Sequence, residues 1–105
     1  MIPPAASELR RAIIAGFGDF DTALQIEELA SRDWSSITFS GARHRVRLRL
    51  EGAQAGPAAD RFLADLPEPA WRLRNHLLAD IALVADERDP AGACLTFDVL
   101  TVESS

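Results

Sequence analysis

Lysine is missing from this chain: all 11 basic residues are arginine, set against 16 acids, for a net charge of −5 over 105 residues. A chain of that sign repels a polyanion, because non-specific nucleic-acid affinity comes from neutralising phosphates with Lys and Arg. Nucleic acid is therefore not an expected partner. Cysteine is nearly missing too. Cys94 alone cannot close an internal disulfide, and no paired-Cys spacing for zinc exists, which fits a reducing, cytoplasmic setting. Long apolar runs are lacking. The longest near the N-terminus, residues 12–15, is too short for a signal-peptide core, and nothing approaches a membrane span, so no membrane association is expected. Cofactor and nucleophile motifs are lacking as well. Gly16-Phe17-Gly18 has neither the third glycine nor the preceding strand of a dinucleotide loop, and no nucleophile elbow surrounds Ser35, Ser36, Thr38 or Ser40. The expectation is no cofactor.

What remains is an ordinary globular composition, 48% apolar and 26% charged. At this length it supports one core, hence a single domain over residues 1–105 with a loose, Pro-containing start at 1–6. The abundance of alanine beside the all-arginine usage points to skewed codon usage, so arginine counts discount as evidence of anion binding.

Ser7 can cap a short helix in which Leu9, Ile13 and Phe17 recur at spacing four, ended by Gly16 and Gly18. Residues 22–31 read either way, as a helix with Thr22 and Gln25 in a capping box or as a strand. The strongly β sequence that follows favours the strand, joined onward through Arg32 and Asp33. Residues 34–40 predict the first arm of a hairpin, with a turn at Ser40-Gly41. The second arm, residues 43–50, alternates without a fault. His44, Val46, Leu48 and Leu50 share one face, and Arg43, Arg45, Arg47 and Arg49 share the other.

Gly52 and Gly56 break that pattern. Pro57 then suits a first helical position, followed by Ala59, Phe62, Leu63 and Leu66 on one stripe, with Pro67 and Pro69 as terminators. Residues 71–85 predict a long strand, with Trp71, Leu73, Leu77, Ala79, Ile81 and Leu83 in phase and Arg72, Arg74, His76 and Asp80 out of phase. A turn over 86–92 leads to a last strand at 93–102. The fold class expected is α+β, in two layers: a mainly antiparallel sheet of about four to five strands, one principal helix on one face and a short N-terminal helix.

That arrangement leaves a second sheet face carrying Arg43, Arg45, Arg47, Arg49, Arg72, Arg74, His76, Asp80, Thr96 and Asp98, with Leu78, Ala82, Val84, Leu100 and Val102 towards its far end. Arginines facing acids across strands make a solvated charge ladder. A face part charged and part apolar also suits recognition, most simply a homodimer, with a small anionic ligand as a further possible partner. His44 falls on the apolar side, where an imidazole is either buried and hydrogen bonded or poised at a pocket rim for acid-base work. His76 and Asp80 share a face at spacing four but lie too far apart for a direct bond. Two His and one Asp at these strand positions match no metal-ligand spacing, so no metal is expected. Cys94 reads as a packing residue.

The stretch Trp34-Ser-Ser-Ile-Thr-Phe-Ser-Gly-Ala-Arg-His44 and the later His76-Leu-Leu-Ala-Asp80 resemble segments of small uncharacterised proteins of alphaproteobacteria. The resemblance covers about the central two-thirds of the chain, supports the strand reading of 22–31 and implies no activity. Two functional expectations follow. The first is a self-associating binding module whose candidate binding residues are Arg43, His44, Arg45, Arg47, Arg49, His76 and Asp80. The alternative is a small enzyme using His44 or His76 with Asp80 in acid-base chemistry.

Overall fold

The computed structural model describes residues 4–18 and 20–104. Chain order is α1 (Ala5–Ala15), β1 (Ala23–Ser35), β2 (Ser40–Glu51), α2 (Ala55–Asp65), β3 (His76–Asp89) and β4 (Gly92–Glu103). The four strands form one antiparallel sheet in the order β1-β2-β4-β3, so the expected two-layer α+β architecture is present. The α2 crossover carries the chain from β2 past β4 to the far edge. Gly52, with φ of 116°, makes the exit from β2 in a backbone conformation that a side chain would resist.

The alternation of residues 43–50 is realised throughout. Val46, Leu48 and Leu50 are fully buried with Ala93, Leu95, Phe97 and Val99 of β4, and Leu9, Ile13, Phe17, Ala58, Ala59, Phe62 and Leu66 close over them. Burying side chains of this size contributes roughly 1.5–3 kcal/mol each. Phe62 sits at the centre, its ring 4.9 Å from that of Phe17 and 5.4 Å from that of Phe97. Among the described residues, no helix is long and apolar enough to cross a membrane.

Several boundaries differ from the sequence reading. The first helix starts at Ala5 after an extended Pro4, so Ser7 lies inside it rather than at its cap. Ala5 and Ala6 are helical, not loose, while residues 1–3 of the expected loose segment lie outside the described residues. Glu8 is drawn into that first turn, where a carboxylate suits the positive end of the helix. Ala55 opens α2, which puts Pro57 third rather than first; both are first-turn sites whose N–H needs no helical partner.

The hairpin turn is at residues 36–39, not at Ser40-Gly41. Ser36 closes it twice, its N–H donating to the Phe39 carbonyl at 2.7 Å and its Oγ accepting from the Phe39 N–H at 3.1 Å. With that turn supplied by a hydroxyl, β1 runs unbroken through Arg32 and Asp33, and Ser40-Gly41 pairs with Ser35 and Trp34.

The largest difference is in β3. Residues 71–75 are not strand. Arg74 is held by Glu8 of α1, and Asn75 adopts a left-handed conformation (φ 63°) before the strand begins at His76. The pairing of β3 with β4 then slips between Leu78 and Asp80 and again between Leu83 and Ala85. Each bulge inserts one residue and reverses the phase. The first reversal sends His76 and Leu78 inward while Asp80 faces out. Leu78 therefore packs on the core rather than the outer face, and Arg72 and Arg74 do not join that face.

Candidate functional site

Both helices pack on the same side of the sheet, and among the described residues no layer covers the opposite side. Because strand pairing fixes which residues are abreast, that outer face can be read row by row. One row is Trp34, Gly41, Val102 and Leu77. The next is Arg32, Arg43, Leu100 and Asp80, then Ala30, Arg45, Asp98 and Ala82. The last two rows surround a shallow concavity of about 530 Å³. Trp34 is partly buried and leans over Gly41, whose missing side chain leaves room for the indole. Leu77, at 59% exposure, stands open at the opposite edge.

Three of the four arginines predicted to share this face have intrachain acids. Arg45 binds Asp98 through two hydrogen bonds. Arg47 lies 3.3 Å from Glu27 and donates to the Cys94 sulfur at 3.3 Å. Arg49 binds both Asp89 oxygens, at 3.0 and 3.2 Å, and also reaches Glu51. Arg49, helped by the N–H groups of Ala91 and Gly92, holds the Asp89 carboxyl below its usual range. The charge ladder is therefore real over these rows, and Cys94, placed beneath Arg47, is buried within it.

Arg43 is different. Directly across the β1–β2 pair stands Arg32, and among the described residues neither guanidinium forms an ion pair. Asp80, two strands away in the same row, forms none either. Like charges directly opposite on a sheet repel. This row thus carries two uncompensated cations at one end and one uncompensated anion at the other.

The histidines lie on the helix side of the sheet. His44 is buried between two hydroxyls, Ser31 Oγ at 2.6 Å from Nδ1 and Thr101 Oγ1 at 3.0 Å from Nε2. The expected buried, hydrogen-bonded imidazole is present, held by two hydroxyls. Burial pushes its pKa below the ordinary value of 6.5, nearby His76 pushes it further, and Asp33 opposes both. His76 is also buried. A cleft of about 340 Å³ at the start of α1 touches both rings together with Ser31, Asp33 and Glu103. Asp80 is not in that cleft. The β3 bulge separates it from His76, so the anticipated pairing of either histidine with Asp80 is replaced by proximity to Asp33 and Glu103. Among the described residues no group of three or more His, Cys, Asp or Glu side chains is placed to hold a metal.

Arg32, Trp34 and Thr101 were not singled out by the sequence reading. A signal existed for each. Arg32 and Trp34 continue the alternation of Ala30, and Thr101 continues that of Leu95, Phe97 and Val99. Placing a connection at Arg32-Asp33 hid the first two. The fold and this surface define a two-layer α+β domain with one sheet face bare. Comparison with protein-family models, curated proteins and solved structures found no match to the chain.

Proposed function

We propose that the protein is a non-enzymatic interaction module that self-associates through its bare sheet face. The observation that carries this reading is the combination, on one uncovered face, of an apolar row and an unbalanced charge row. Trp34 and Leu77 flank the first, while among the described residues Arg32, Arg43 and Asp80 stand without ion-pair partners in the second. A sheet face usually meets another layer, and a second sheet about 10 Å away is one standard solution. The paired arginines also offer a docking point for a carboxylate or other small anion. A lone, buried Cys94 suits a reducing, cytoplasmic setting.

The acid-base alternative draws support from the histidine cleft but loses Asp80 as its third member. Both ring nitrogens of His44 are engaged by hydroxyls, which favours a positioned, structural imidazole. Size-exclusion chromatography with light scattering tests the leading reading. The expected result is a mass of twice 11.4 kDa at about tens of micromolar, a range in which modest protein interfaces associate. A strictly monomeric mass there ends it.

A further inference from the structure

We infer that two copies pair face to face about a two-fold axis running parallel to the strands, so that Arg32 of each copy meets Asp80 of the other. The inference rests on the self-association reading and adds its geometry. It follows from the order β1-β2-β4-β3. A two-fold axis along the strands, lying between the sheets, keeps each row at its own height and reverses it left to right. It lays β1 over the other copy's β3, and β2 over its β4.

Three adjacent rows are each complementary to their own reversal. In the charge row, Arg32 comes over Asp80 of the second copy and Arg43 over Leu100, so the spare cation of one chain meets the spare anion of the other twice per dimer. In the apolar row, Trp34 comes over Leu77 and Gly41 over Val102, setting an indole that leans on a glycine against a leucine left 59% exposed. In the next row, Ala30 meets Ala82, small against small, and each Arg45 faces an Asp98. The alternative axis, across the strands, inverts the row order, drawing the charge row towards the opposite end of the sheet and the Arg47 and Arg49 rows.

The dimensions agree. Four strands spaced about 4.8 Å and about twelve residues long cover roughly 760 Å², close to the roughly 800 Å² each partner contributes to a stable protein interface. Two aligned sheets also cross at only about 30°, which keeps rows in register over the width of four strands.

Charge reversal tests the pairing. R32D puts Asp against Asp in both contacts, and D80R puts Arg against Arg. Each variant alone should dimerise about 30-fold more weakly than the native chain, because both contacts change sign. An equimolar mixture of the two variants should regain native dimerisation, since both contacts in the mixed dimer are again between opposite charges. Sedimentation velocity reads all three samples. R32D also removes the repulsion with Arg43, so its thermal unfolding at low concentration should not fall, which separates lost pairing from lost folding. A native chain that dimerises, with a mixture that stays as weak as its components, overturns this axis and leaves the self-association reading standing. A native chain that is monomeric overturns both.

Discussion

His44 stands where burial and hydrogen bonding pull in the same direction. The two hydroxyls that grip it can donate to or accept from a neutral ring, and burial beside His76 disfavours a second proton. Its folded pKa lies below the ordinary 6.5, so between those two values the unfolded chain binds more protons than the folded one. Stability is then fully present above about pH 6.5 and declines as pH falls. Urea unfolding at a series of pH values should show the native chain losing stability from pH 7 towards pH 5, and H44Q should lose part of that slope. An unchanged slope in H44Q would remove His44 as its source. T101V leaves the Nε2 side of the ring facing a methyl group in a site of zero exposure. The expected cost is about 1–3 kcal/mol, the penalty for a buried polar atom without its partner.

At the level of elements, the β3 bulge at Ala79 decides what each flanking side chain can do. It buries His76 and Leu78 and leaves Asp80 on the open face. Deleting Ala79 would remove only the extra residue: Leu78 and Asp80 already pair with Thr101 and Leu100, neighbours on β4 that face opposite sides, so His76, Leu78 and Asp80 would keep their sides. Guanidinium unfolding of the deletion variant should therefore show no loss on the scale of one leucine's burial, about 1.5–3 kcal/mol. A loss of that size would mean that Leu78 has left the core.

Bulges also explain where the sequence was readable. β2 has no irregularity on its β4 side, and its period of two could be followed from Arg43 to Leu50. The same rule applied to 71–85 put His76 and Asp80 on one face, because an inserted residue leaves no mark in the hydrophobic pattern. The helix stripes and the α+β class were accessible as local periodicities, and the strand reading of 22–31 came from the strongly β sequence that follows it. The turn at Ser36 was hidden by its chemistry. A hydroxyl closed it, where Ser40-Gly41 offered the more familiar signal. The candidate site was half legible: the arginine row could be seen, but Arg32 as the neighbour of Arg43 depends on a register that only the pairing of two distant segments fixes.

For the molecule as a whole, the bare face couples folding to concentration. The sheet has one layer of helices beneath it, and the molecule extends 47 Å along one axis against 23 and 21 Å along the others. If a second copy binds only the folded chain, association stabilises folding by mass action, so the midpoint of thermal unfolding must rise with protein concentration. For the native chain that midpoint should climb steadily between about 1 and 100 μM. R32D should behave in the opposite way at the two ends. At the dilute end it should equal or exceed the native chain, because the introduced carboxylate lies across from Arg43 and a like-charge pair has become an attractive one. At the concentrated end it should fall behind, having lost the pairing that lifts the native midpoint. Differential scanning fluorimetry on the two chains shows whether the curves cross. Parallel curves would mean that Arg32 matters to the monomer alone, and a flat native curve would mean that the sheet face meets no second copy.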